Sequence, residues 1–156
     1  MLELKSIKAV SFDVGGTLIA THPSAGAIYA DVAAQFGVRG LDAASLDRQF
    51  AEAWQAKGEF DFSTQAWFAL VRRVFGDRAA ELPEEFFPAL YARFEQADSW
   101  RVYPDVLPVL DELASMGVPM AIVSNWDERL KPLMENLKLA GYFDTIINSS
   151  AVAFHK

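Results

Sequence analysis

The chain has 156 residues, 52% hydrophobic and 22% charged, a mix that suits one globular domain with room for an insertion and excludes intrinsic disorder. Lys and Arg number 14 against 21 Asp and Glu, a net charge of −7, which argues against a nucleic-acid or anionic-membrane surface. There is no cysteine, so disulfides, thiolate catalysis and cysteine-type zinc sites are excluded and a cytoplasmic setting is expected.

In chain order, the first element is Ile7 to Phe12, an apolar run stopped by Asp13 and Gly15-Gly16. It is too short for a helix, and the glycines make it a buried strand feeding a tight loop. No apolar run reaches the about 18 residues of a membrane span, and Glu3, Lys5 and Asp13 break any signal-peptide pattern.

Residues 20–102 change texture. Asp42 precedes Leu46, Phe50, Ala53 and Trp54; Ser63 precedes Trp67, Phe68, Val71 and Phe75; Pro83 precedes Phe87, Leu90, Tyr91 and Phe94. This spacing predicts three or four amphipathic helices packed through an aromatic core, with no strand among them.

Pro104 then opens a predicted helix carrying Leu107, Leu110, Leu113 and Met116, with Gly117 as its stop. Val118 to Val123 reads as a second strand, leaving through Ser124-Asn125. Asp127 is the predicted cap of a helix bearing Leu130, Leu133, Met134 and Leu137, ending before Gly141. Phe143 to Asn148 is the third strand. Strand, helix, strand, helix, strand is the order of a parallel sheet with right-handed crossovers. The fold class is therefore α/β, with a core of residues 1–19 and 103–156 and an inserted helical segment, 20–102.

Ligands of open parallel sheets bind outside the carboxyl ends of the strands. The residues there are Asp13 to Thr17, then Ser124 and Asn125, then His155 and Lys156. A carboxylate, a hydroxyl and an ammonium gathered at one sheet end suit nucleophilic attack by the carboxylate and a covalent intermediate later hydrolysed. Glycines free backbone N–H groups to cradle an anion, and the hydroxyl and lysine offset its charge. The plain alternatives are a turn at Asp13 to Gly16, a helix cap at Ser124-Asn125 and a solvated Lys156.

Ser11 to Ile19, SFDVGGTLI, resembles the first motif of the haloacid dehalogenase-like hydrolase superfamily, and Ala121 to Asn125, AIVSN, resembles its second. Lys156 falls where the third would lie, and the helical insertion matches the cap that many members carry. The resemblance implies a Rossmann-like core with an inserted α-helical cap, and small-molecule phosphate-ester hydrolysis. It implies Asp13 as nucleophile, Ser124 as a phosphoryl ligand and Lys156 as the balancing charge, with Gly15, Gly16, Thr17 and Asn125 around the substrate. Mg²⁺ would be held by the Asp13 carboxylate and the backbone carbonyl of Gly15, consistent with its need for one or two carboxylates plus substrate oxygens.

Two departures follow from the same resemblance. Phosphatases of the superfamily carry a second Asp where this chain has Gly15, and members continue past the third-motif lysine into a fourth, acidic motif. The chain is therefore expected to be incomplete and its activity impaired. The dehalogenases also lack the second Asp and use no metal; Arg39 or Arg48 would then receive the halide. A third reading is a non-catalytic fragment acting through association, since the first strand becomes a sheet edge and favours a homodimer or swapped assembly.

Overall fold

The structure is a computed structural model that describes residues 7–152. The described residues form two compact units, one of 7–20 and 101–152, the other Thr21–Trp100.

The first unit holds a three-stranded parallel sheet of β1 (Val10–Phe12), β4 (Met120–Ser124) and β5 (Thr145–Asn148) in the order β1-β4-β5. Val10 lies opposite Met120 and Phe12 opposite Ile122, while Ile122 lies opposite Ile146 and Ser124 opposite Asn148. The central strand alternates: Met120, Ile122 and Ser124 are buried, and Ala121 and Val123 are half-buried. All three strands are shorter than their apolar runs; ahead of β4 and β5 the N–H groups of Val118 and Phe143 donate back to the Leu113 and Ala140 carbonyls instead of joining the ladder.

α5 (Val106–Ser115) and α6 (Leu130–Asn136) are the crossovers. α6 buries Leu130, Leu133 and Met134 completely. It stops not at Gly141 but after Asn136, where Lys138 takes a left-handed φ of 62° and Leu139 N–H donates back to the Met134 carbonyl. α5 buries only part of its apolar set. Val106 and Leu110 are buried, whereas Leu107 (45% exposed) and Met116 (44%) face outward. At about 100° per residue, positions 107 and 116 lie on opposite sides of a helix, so one core face cannot take both. A short helix, α7 (Ser149–Val152), follows β5 directly.

The chain leaves and re-enters this unit through a two-stranded ribbon, β2 (Ile19–Thr21) with β3 (Trp100–Val102). Tyr103 N–H donates to the Leu18 carbonyl at one end and His22 N–H to the Ser99 carbonyl at the other. The expectation of no strand within 20–102 fails here. Three-residue strands carry no readable period, and only pairing identifies them.

The second unit contains α1 (Ala25–Gln35), α2 (Ala43–Gln55), α3 (Thr64–Phe75) and α4 (Phe86–Arg93). Ser24, Asp42 and Ser63 cap the first three, each side chain accepting a backbone N–H three residues on. α1 had no periodic signature because small residues dominate it. Their purpose is visible at Gly26, where an added Cβ would sit 2.1 Å from the Ala43 carbonyl oxygen, so α1 and α2 touch backbone to backbone. The core is aromatic. Phe86 is fully buried among Phe36, Phe75 and Phe87, Tyr29 stacks on Phe75 at 5.9 Å, and Trp54 stacks on Trp67 at 5.6 Å.

Candidate active site

Parallel pairing with this register brings the ends of β1 and β4 together. Asp13 follows β1 immediately, and Ser124 closes β4. The Asp13 Oδ1 accepts hydrogen bonds from Ser124 Oγ at 2.6 Å and from its neighbour's backbone N–H, Val14, at 2.9 Å. Ser124 is 4% exposed, while Asp13 is exposed. A buried hydroxyl thus orients a carboxylate that solvent and solutes can reach. A short bond from a hydroxyl to an ionised acceptor is about twice as strong as a neutral one.

The loop after Asp13 is a tight turn built around one carbonyl. Thr17, Leu18 and Ile19 N–H groups all donate to the Val14 carbonyl, and Gly16 N–H donates to the Ile19 carbonyl. Gly16 has φ 74°, a left-handed conformation open to glycine at little cost. The N–H groups of Gly16 and Thr17 thus close the turn itself. Gly15 and Thr17 are exposed beside Asp13, and Asn125 is half-buried after Ser124.

Asp127 accepts the Arg129 backbone N–H at the turn before α6, and its role extends further. It is completely buried and paired with Arg129, which is 7% exposed. Arg129 Nε donates to Asp127 Oδ1 at 2.8 Å, its Nη2 donates to Oδ2 at 2.5 Å, and its backbone N–H also reaches Oδ1. Neutralised and hydrogen-bonded on both oxygens, the carboxylate tolerates burial that would otherwise be prohibitive. The end of β5 fastens the same loop: Asn148 Nδ2 donates to the Asp127 carbonyl at 2.6 Å, and Ser149 Oγ bonds both the N–H and the carbonyl of Trp126 at 3.2 Å. The sequence reading missed Trp126, Arg129, Asn148 and Ser149. The Asp-x-Arg spacing was the available sign of the ion pair; nothing marked the other three.

His155 and Lys156 lie outside the described residues. Arg39 and Arg48 belong to the helical unit, Arg39 exposed after α1 and Arg48 exposed on α2 with its Nη2 donating to Ser45 Oγ at 2.8 Å. Among the described residues no group of three His, Asp or Glu side chains is arranged to hold a metal. Asp13 provides one carboxylate, and one carboxylate with substrate oxygens and water is within the range that Mg²⁺ accepts. No described helix is long and apolar enough to cross a membrane.

The model of the haloacid dehalogenase-like hydrolase family matches residues 7–156. Haloacid dehalogenase-like hydrolase domain-containing protein 3 of Bos taurus is 28% identical over 96% of this chain and 64% of its own length. A phosphoglycolate phosphatase of Agrobacterium fabrum is 32% identical over 93% of this chain and 60% of its own. Among solved structures, the L-2-haloacid dehalogenase of Xanthobacter autotrophicus superposes with a TM-score of 0.71 at 23% identity, covering 96% of this chain and 60% of that one. A phosphatase of Thermococcus onnurineus gives 0.59 at 22% identity, covering 96% and 66%. These two likenesses show the shared α/β fold. The chain spans about two thirds or less of the relatives it matches, 60% of the bacterial phosphatase and 64% of the bovine protein. Match, motifs and parallel sheet agree: the chain belongs to the haloacid dehalogenase-like hydrolase family.

Proposed function

We propose that this chain carries the nucleophile half of a small-molecule phosphate-ester hydrolase, acting through an Asp13 covalent intermediate. The observation that supports this most directly is the 2.6 Å bond from Ser124 Oγ to Asp13 Oδ1 at the carboxyl end of the parallel strands. A carboxylate oxygen of Asp13 attacks phosphorus, the bond to the ester oxygen breaks, and the departing alkoxide takes a proton from water. Water then attacks phosphorus, the bond to Asp13 breaks, and phosphate leaves with the carboxylate regenerated. Ser124 orients the carboxylate before reaction and can turn its hydroxyl to a phosphoryl oxygen as charge develops there. The Asp13 carboxylate and the Gly15 carbonyl would hold Mg²⁺, which when bound offsets the negative charge shared by nucleophile and phosphate. Lys156 is assigned the same balancing role. The domain reading assigns substrate choice to the helical unit as a cap.

The test is hydrolysis of a panel of phosphate esters with and without Mg²⁺, beside Asp13→Asn. Phosphoglycolate heads the panel because a relative is named for it, and 2-haloacids belong in it because solved relatives are dehalogenases. Phosphate release that needs Asp13 is expected. Release of halide with no phosphatase activity would favour the dehalogenase reading, and equal rates with and without the Asp13 carboxylate would remove the nucleophile. A cytoplasmic location suits a cysteine-free chain, and cell fractionation tests it.

A further inference from the structure

The glycine loop beside the nucleophile has a neighbour that the reaction scheme leaves without a task. An added Cβ at Gly15 would lie 3.2 Å from Cζ3 of Trp126 and 3.9 Å from Cη2. The indole edge therefore crowds the space a side chain at position 15 would take. Trp126 stands two residues after Ser124, and Gly15 two after Asp13, so the residue follows the strand of one half while its ring meets the loop of the other. It is half-buried, next to exposed Gly15.

The ring's backbone is also held from several directions. Ser149 Oγ accepts from the Trp126 N–H and donates to its carbonyl, and Ser150 N–H donates to the same carbonyl at 3.3 Å. The next residue is fixed by Asn148 and by the buried Asp127–Arg129 pair. The indole therefore springs from a firmly held backbone, and an aromatic side chain adds contact with little loss of freedom because it has few torsions to fix.

We propose that Trp126 is a specificity-determining residue of the Asp13 site, an indole wall that favours anionic substrates carrying a planar apolar group next to the reacting centre. The inference rests on the reading of Asp13 and Ser124 as an anion site and deepens it. Small, wholly polar phosphate esters would use the polar side alone, whereas aryl or comparable planar groups would also cover the ring. Orienting polar groups beside an apolar wall are the usual composition of a small-ligand pocket.

Two measurements test it, neither needing turnover. The first compares binding of phenylphosphonate and methylphosphonate by calorimetry. An aromatic contact adds affinity of about three- to tenfold, so phenylphosphonate is expected to bind tighter by that factor. Trp126→Phe should keep the preference, and Trp126→Ala should bring the ratio near one. No preference in the wild-type chain, or one that survives Trp126→Ala, overturns the proposal. If hydrolysis fails while the Trp126-dependent preference holds, the proposed reaction falls and the binding wall stands. The second is a double-mutant cycle on the melting temperature. The effect of Gly15→Ala should differ between the wild-type and Trp126→Ala backgrounds; strictly additive effects would remove the contact on which the wall depends.

Discussion

The two units hold themselves together by opposite means. In the helical unit, side chains cap three of four helices and rings pack on rings, as at Phe86, Phe75 and Tyr29. In the α/β unit neither crossover helix has a side-chain cap, the buried core is mainly aliphatic, and the polar side chains are gathered at one end of the sheet. There Ser124, Asp127, Arg129 and Ser149 are buried with hydrogen bonds among themselves, to Asp13 and to backbone. The contrast separates two uses of burial. Ring packing is non-directional and gives stability; a buried polar network gives geometry, and only where every member is satisfied.

Substitutions sharpen that contrast. The largest expected effect is chemical: Asp13→Asn should lower turnover by about 10⁴-fold or more, the scale of removing a nucleophile, with the thermal midpoint little changed. A variant whose activity and stability fall together would place Asp13 among the structural polar groups instead.

Next come two losses of similar size and different character. Asp127→Ala should cost about 3–5 kcal/mol by stranding the Arg129 charge, and Phe86→Ala about 3–5 kcal/mol by leaving a cavity among rings, both read by chemical denaturation. The difference lies in rescue. Replacing both partners, Asp127→Leu with Arg129→Met, should recover most of the stability, because no charge is left unpaired. No second substitution should repair Phe86→Ala unless it refills the volume. A double variant as unstable as Asp127→Ala alone would break the distinction.

Smaller still, Ser63→Ala should cost about 1 kcal/mol, the usual worth of a helix cap. The smallest effect is at the surface. The hydrogen bond from Arg78 holds the Glu81 carboxyl below its ordinary pKa, with the Arg78 charge adding to it. A depressed carboxyl contributes stability above its unfolded-state pKa and loses it as pH falls through the folded one. The difference between wild type and Glu81→Gln should therefore be present at neutral pH, vanish in acid and shrink in salt. A difference that grows in acid would reverse the assignment.

The same contrast governs what could be read from residues alone. Asp42 and Ser63 announce their helices because a cap acts within three residues, and the Trp, Phe and Leu spacing that follows repeats over several turns. Asp13 and Ser124 were legible because strand ends at glycine and Ser-Asn are local signals. At Asp127 the local rule gives only part of the answer. Its carboxylate accepts the N–H two residues on, which the local rule anticipates, while its complete burial is set by the fold. Trp126 against Gly15 and Ser149 against Trp126 are products of register, which no short window contains. The Leu107-to-Met116 set is only partly buried, since spacing by three throughout drifts around a helix whose true period is longer.

The bond between Ser124 and Asp13 joins residues 111 apart in sequence. Most of that interval is the helical unit, whose two ends are tied by the hydrogen bond from His22 to Ser99. Closing a long flexible loop carries an entropy cost that grows with the logarithm of its length, and a loop already folded and tied at its base behaves as a short one. Order of assembly is then written into the topology. The helices, built from local contacts, should collapse first, and the β1–β4 pairing that completes the site should follow. Slowing the ring core should delay the site: in refolding, Phe86→Ala should postpone the appearance of a competent Asp13–Ser124 pair more than a substitution of equal cost in α6.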